Sequence, residues 1–248
     1  MRRVGLFFIQ FFTRGKTSRN NCVFIRQGKN TCRIKIFYRR NMLKDLTVVE
    51  FVNETASNSP APGGGSIAAL NASVAAGLLT MVANLTVGKK KYLDVSERME
   101  EIAKVCGKYK DTFVDGIDKD ANSFNGVMDA MKLPKETESE QKVRSAKIQE
   151  GYKEAIAVPL SLGTEVTALY PYAKELAETG NANAITDVAV ALINIKAAVE
   201  GAFLNVRINL NSLKDEAYKA ELNKKMDEVQ ALVKKNDAEI MEIVKTKL

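Results

Sequence analysis

From Met42 onward apolar residues recur at three- and four-residue steps between short polar, glycine or proline breaks, a period that predicts helices throughout. Thr47-Val48-Val49-Glu50 has the form of a capping box and opens a short first helix, with Val48, Phe51, Val52 and Thr55 following on one side. A second helix runs from Ser66 to about Thr86. Eight of its positions 66–77 are Ser, Ala or Gly, and small side chains all round imply close helix neighbours and a central, buried place. A third opens at the cap-like Asp94-Val95-Ser96-Glu97 and carries Ile102, Val105, Cys106, Tyr109, Phe113 and Ile117 at helical spacing. It is expected to continue through Phe124, Val127, Met128 and Met131 to a stop at Leu133-Pro134. The charged stretch Lys135–Lys147 then leads into a helix kinked near Pro159, and Pro171 bends or divides the segment beyond it. After Gly180-Asn181, a helix from about Asn183 to Asn211 presents Val188, Leu192, Ile195, Val199, Phe203, Val206 and Leu210 as a face wide enough for a core. In the last helix Leu222, Met226, Val229, Val233, Asn236, Ile240 and Ile243 form a heptad seam. Its one polar member, Asn236, reads either as fixing register or partner or as a solvated end to a packed face. With no strand pattern and no solenoid period, residues 42–248 are predicted to form a single-domain, all-α bundle of long, partly kinked helices.

Charge changes the picture for the remaining segment. The chain is net +7, but residues 1–41 hold eleven of its 37 Lys and Arg and no acid, leaving 26 basic against 30 acidic side chains and a body of net −4. Whole-chain basicity therefore does not indicate a nucleic-acid partner. The basic leader reads as translated upstream sequence before a start at Met42, or as a transit peptide. The secretory reading fails, because the run Val4–Phe12 contains Gln10 and leads into Thr13-Arg14-Gly15-Lys16 without a small-residue cleavage pattern. The leader is expected to lie outside the fold and to be dispensable. Cys22 and Cys32 fall within it, so Cys106 is the body's one cysteine. That leaves neither a disulfide framework nor a zinc quartet, and suits a cytoplasmic protein. The apolar run Ala72–Ala83, bounded by Asn71 and Asn84, reads as too short for a membrane span.

Histidine is absent. Proton transfer must then use Asp, Glu, Lys, Tyr or Cys, and most metal sites and serine or cysteine hydrolase schemes fall away. Cys106, on an apolar helix face without an imidazole partner, reads as buried filler. Ser59-Pro60-Ala61-Pro62-Gly63-Gly64-Gly65-Ser66 runs from helix-breaking prolines through three glycines into a helix start, where bare main-chain N–H groups favour an acceptor or anion. A phosphate loop is excluded, since no Lys-Ser/Thr follows the glycines. A tight helix–helix bend is the alternative. Asp120 lies four residues before Phe124, beside Val127 and Met131, where burial would raise its pKa, unless it sits at the solvent boundary. Asp187 follows Asn181-Ala182-Asn183-Ala184-Ile185-Thr186 and could serve chemistry or only the helix dipole. Asn205 and Asn209 share a face of that helix, but eighteen residues separate Asp187 from Asn205, about 27 Å of rise. One pocket can hold both only if a second subunit supplies one of them. Gly88-Lys89-Lys90-Lys91 is an exposed cationic turn, suited to a carboxylate-bearing ligand or simply solvated.

Five stretches in order, Ser59–Ser66, Gly88-Lys89-Lys90-Lys91-Tyr92, Asp120 through Phe124 to Leu133-Pro134-Lys135, Gly180–Asp187, and Asn205-Val206-Arg207-Ile208-Asn209-Leu210, resemble the cyclodeaminase/cyclohydrolase family of folate one-carbon enzymes. The resemblance spans essentially all of 42–248 and none of 1–41. It implies an all-α subunit that pairs into a homodimer and acts on the N5/N10 carbon bridge of tetrahydrofolate, with a folate substrate and neither metal nor other cofactor. Two chemistries share the scaffold. One is methenyltetrahydrofolate cyclohydrolase activity, favoured here by the absence of a fused formiminotransferase, and the other is formiminotetrahydrofolate cyclodeaminase activity with release of ammonia. Asp120 and Asp187 are the candidate acid/base pair. Pro62, Gly63, Gly64, Gly65, Ser66, Phe124 and Asn183 are the candidate pterin contacts, with Lys89, Lys90 and Lys91 or Arg207 for the glutamate tail. From another class, a non-catalytic helical dimer that binds folate or a protein would not require carboxylates beside an apolar face.

Overall fold

The computed structural model describes residues 42–248; the leader with Cys22 and Cys32 lies outside the described residues. Among the described residues eight α-helices occur in order: α1 (Val48–Thr55), α2 (Gly64–Asn84), α3 (Ser96–Ser123), α4 (Asn125–Met131), α5 (Glu138–Glu165), α6 (Tyr170–Thr179), α7 (Ile185–Leu210) and α8 (Glu216–Lys245). Among the described residues there is no strand, as the apolar period predicts. The α1 capping box is formed in both directions, with Thr47 and Glu50 satisfying each other's main-chain N–H. Only Phe51 of the expected apolar side reaches the core, whereas Val48, Val49 and Val52 are exposed. Thr137 and Glu140 make a second capping box at the start of α5, which the charge run obscured in the sequence.

Steric matching of small residues places α2 between α3 and α7. Gly116 of α3 faces Ala69, and Gly201 of α7 faces Ala68, where an added Cβ would lie 3.4 and 3.3 Å from the alanine methyl. The register is antiparallel on both sides, because Ser66 meets Ile117 while Ala69 meets Gly116, and Gly64 meets Asn205 while Ala68 meets Gly201. Ala68, Ala69, Ala72, Ala75 and Ala76 are buried, with Met99, Ile102, Cys106 and Phe113 from α3 and Ile195, Val199 and Phe203 from α7 in the same core. By length and composition α2 does pass for a membrane-crossing helix, with 21 residues and a best-window mean hydropathy of 1.7, contrary to the reading of 72–83 as too short. The same composition suits a helix enclosed by two others.

Three boundaries differ from the sequence expectation. The glycines are not a loop before the second helix, since Gly64 and Gly65 are its first helical residues and Gly63 is the extended N-cap. Asp94 caps nothing. It lies in a 3-10 turn (Lys90–Val95), and the Ser96 hydroxyl instead accepts the N–H of Gly88, whose φ of 67° makes the turn possible. The third helix breaks at Phe124, where the Ser123 hydroxyl donates to the carbonyl of Asp120. The break turns α4 onto α5, where Gly126 and Gly151 allow backbone contact. Pro171 divides rather than bends, by opening α6. Pro159 lies inside α5. It cannot donate to the carbonyl of Ala155, and the Asn209 amide of α7 approaches that carbonyl at 3.4 Å. Asn236 donates to Leu232 of its own helix, while the neighbouring Asp237 accepts the Tyr170 hydroxyl at 2.7 Å and ties α8 to α6.

A methyl group added at Gly151 would lie 2.9 Å from the main-chain nitrogen of Val127. Overpacking of this kind costs about 1–3 kcal/mol against about 1 kcal/mol gained in helix propensity, and a rigid backbone cannot yield as a side chain does. Gly151→Ala is expected to lower unfolding stability by about 1–2 kcal/mol in urea titration. Gly107→Ala, with nothing within 4 Å of the added atom, is expected to raise it. Equal effects would refute the close α4–α5 packing.

Candidate functional site

The start of α2 carries main-chain N–H groups that the helix itself does not use. Gly63, the N-cap, has no side chain to cap it, and Ile67 is the first residue to make the helical hydrogen bond, to the carbonyl of Gly63 at 3.1 Å. The N–H groups of Gly64, Gly65 and Ser66 therefore remain outside the helical ladder, at the positive end of the helix dipole. Pro62, just before the turn, is buried.

The Asp120 carboxylate lies directly over this turn. A Cβ built on Gly65 would stand 2.0 Å from its Oδ1, so the carboxylate occupies the space that any other residue would fill. Ser66 is fully buried and points at α3, its hydroxyl 3.0 Å from the carbonyl of Ile117 and 3.2 Å from Asp120 Oδ2. Burial pushes the Asp120 carboxyl above the ordinary aspartate range, and the hydroxyl and main-chain N–H of Ser66 pull it back. Asn205 completes the turn from α7: its amide nitrogen donates to the carbonyl of Gly201 at 2.8 Å and would lie 3.2 Å from a Cβ on Gly64. The sequence marks Asn205 as part of a motif, without a role. Phe124 stands at the end of α3, edge-on to Tyr152 at 6.0 Å and partly exposed.

The other candidates gather at the far end of α2, about 30 Å away. There Asn181 is held by both main chain and side chain, its N–H donating to Thr86 Oγ1 at 2.9 Å and its amide to the carbonyl of Leu85 at 3.0 Å. The N–H of Ala182 donates to the Tyr92 hydroxyl at 3.1 Å, and that of Asn183 to Asn181 Oδ1. These bonds set the entry to α7 and place Asp187 in its first turn, half-buried. Lys89, Lys90 and Lys91 are exposed beside it, Lys91 over the ring of Tyr92 at 5.6 Å. The anchoring roles of Thr86 and Tyr92 are not legible in the sequence, because an apolar helix end gives no sign of what it will cap. Arg207 joins neither group. It donates to Gln230 of α8 at 2.9 Å, and two residues along the helix set it more than half a turn from Asn205.

Cys106 is buried and its thiol is pushed up to about 12, as inert filler requires. Among the described residues no group of three or more His, Cys, Asp or Glu side chains is placed to hold a metal ion.

Fold and site together define an all-α subunit with a carboxylate seated on an uncapped, glycine-opened helix start and a cationic turn at the opposite end. A sequence profile described as formiminotransferase-cyclodeaminase matches residues 47–228, and the chain belongs to that family. It is 37% identical over 207 residues to methenyltetrahydrofolate cyclohydrolase of Methylorubrum extorquens, covering 84% of this chain and 100% of that one. It is 37% identical over 176 residues to formimidoyltransferase-cyclodeaminase of Sus scrofa, covering 71% of this chain but only 32% of that longer protein. The solved structure of formiminotetrahydrofolate cyclodeaminase from Thermotoga maritima superposes with a TM-score of 0.73 at 29% identity, covering 82% of this chain and 98% of that one.

Because the Gly65 hydrogen is the only atom the Asp120 carboxylate tolerates there, Gly65→Ala is expected to displace that carboxylate by about 1.5 Å, the gap to ordinary contact. A crystal structure of the variant checks it. Gly63→Ala, whose added carbon meets only the carbonyl of Pro60 at 3.5 Å, should leave Asp120 in place. An unmoved carboxylate in Gly65→Ala would refute the contact.

Proposed function

We propose that this chain, a folate one-carbon enzyme by family, hydrolyses 5,10-methenyltetrahydrofolate to 10-formyltetrahydrofolate at a site shared by two subunits. The observation that carries the reading is the half-buried Asp120 carboxylate on the bare N–H groups of α2. Full-length similarity to a methenyltetrahydrofolate cyclohydrolase supports it.

The methenyl bridge is an amidinium-like carbon, already cationic. An ionised carboxylate beside it both offsets that charge and removes a proton from the attacking water as the water oxygen bonds to the carbon. The carbon–N5 bond then breaks, N5 takes a proton and N10 keeps the formyl group. The net change adds one water and releases one proton. Asp120 acts as the base in this scheme, and Asp187 is the second acid/base group. The α2 turn from Pro62 to Gly65, with Phe124 and Asn183, surrounds the pterin, and Lys89, Lys90 and Lys91 meet the glutamate tail. No cofactor enters the scheme, and the reaction is assigned to the cytoplasm.

A homodimer is proposed because half of this constellation lies at each end of α2. The exposed edges of α2 and α7 carry an apolar stripe between the two ends, with Val74, Met81 and Leu85 on α2 and Val190, Ile193, Leu204 and Ile208 on α7. Ile193 is 62%, Leu204 62% and Ile208 65% exposed, and patches of this kind mark association surfaces. An isologous pairing across the stripe reverses one copy against the other, bringing the Gly64 end of each subunit to the Lys89 end of its partner.

The similarity to formiminotetrahydrofolate cyclodeaminase supports a second reading on the same scaffold, in which N10 attacks the formimino carbon on N5 and ammonia leaves. Absorbance separates the two. Loss of the methenyl chromophore faster than in buffer identifies the hydrolase. Appearance of that chromophore from 5-formiminotetrahydrofolate, with ammonia released, identifies the cyclodeaminase, and no change with either substrate refutes both.

Asp120→Asn and Asp187→Asn are each expected to lower turnover by about 10²–10⁴. When the two inactive variants are mixed and allowed to exchange subunits, half of the dimers carry one intact shared site, so about a quarter of wild-type activity should return. Failure of mixtures to recover any activity, with exchange verified, would rule out the shared site.

A further inference from the structure

We infer that Ser66 is a positioning residue whose hydroxyl follows the protonation of Asp120, donating to Oδ2 when the carboxylate is ionised and to the carbonyl of Ile117 when it is protonated. This replaces a pterin contact as the role of Ser66, and its catalytic consequence rests on the function proposed for Asp120. The geometry is specific. Ser66 is fully buried, its hydroxyl carries one proton, and two acceptors lie within reach at 3.0 and 3.2 Å. A single buried hydroxyl with one acceptor would be stranded if that acceptor became protonated and turned its own proton inward. With two acceptors the hydroxyl stays bonded in both states, so neither form of Asp120 leaves a buried donor unpaired.

The two positions are unequal in strength. A bond to an ionised carboxylate is about twice as strong as one to a neutral carbonyl, so the hydroxyl favours the ionised form of Asp120 and opposes the effect of burial. Other groups do not duplicate this. Around Asp120, α2 presents Gly64, Gly65 and Ser66, and α7 presents the uncharged Asn205. On α3, Lys119 is exposed, and Asp118 accepts the N–H groups of Leu43 and Lys44. From α5, Tyr152 meets Phe124 edge-on and Glu154 lies over Gly126. Burial raises the Asp120 carboxyl, and Ser66 lowers it through its hydroxyl and main-chain N–H, so Ser66 is its tuning group.

Substrate-free protein labelled with carbon-13 at aspartate carboxyls gives the direct test, with the Asp120 signal assigned by its loss in Asp120→Asn. Ser66→Ala should raise the Asp120 titration midpoint by about one pH unit, the equivalent of one charge-assisted hydrogen bond. Because ionised Asp120 is then scarcer at low pH, the acid limb of the kcat/KM profile should move up by the same amount, with activity regained above it. Ser73→Ala is the control, since Ser73 is another buried serine of α2 that donates only to the carbonyl of Leu70. It should move neither curve. An unmoved Asp120 titration in Ser66→Ala, or an equal shift in Ser73→Ala, overturns the proposal. A shifted titration with an unmoved activity profile upholds it, and instead refutes Asp120 as the base.

Discussion

Close contact along α2 is the constraint on which the rest of this structure depends. Helices approach as nearly as they do here only where side chains are absent, and dispersion between alanine and glycine surfaces is gained only at that short distance. The alanines of α2, with Gly116 and Gly201 opposite, satisfy this on two sides at once. The same absence of a side chain at Gly65 leaves the space at the helix start that the Asp120 carboxylate fills. Packing and chemistry therefore share a cause, because Gly65 both lets α3 approach and gives Asp120 its seat.

That seat creates an electrostatic balance. Removing a carboxylate from water disfavours its charge, while the N–H groups and hydroxyl beside it favour the charge. The result is a carboxyl held above its ordinary range yet supplied with donors, an arrangement suited to taking and returning a proton. At the opposite end of α2 the logic is different. There Thr86, Tyr92 and Asn181 fix main-chain groups of the turn into α7, and the candidate residues Asp187 and Lys89–Lys91 stand on a scaffold built from hydrogen bonds.

Some family-motif residues make contacts that tie helices together. Asn209 approaches the Ala155 carbonyl that Pro159 cannot serve, so a break in α5 is answered from α7. Arg207 reaches Gln230, which in turn reaches Glu200, linking α7 to α8 in a polar chain. Both lie within the Asn205–Leu210 stretch, where residues of different function alternate on different faces of one helix.

The helical class, the order of the helices, the capping box at Thr47 and the central place of α2 were legible in the sequence because each depends on local period and side-chain size. Asp120 and the glycines were legible as candidates for the same reason, since a carboxylate on an apolar face and three consecutive glycines break the local rule. Other features depended on partners distant in sequence. The break at Phe124 follows from α4 packing on α5 through Gly126 and Gly151, and the exposure of Val48 and Val52 from which face Phe51 finds. The turn of Ser66 toward Ile117, the diversion of Arg207 to α8 and the anchoring by Tyr92 belong to the same group. A helix's period shows which residues share a face but not what that face will meet. Only the antiparallel register of α2 against α3 and α7 decided that Asp120 lies on Gly65, and that Asp187 lies a helix length away.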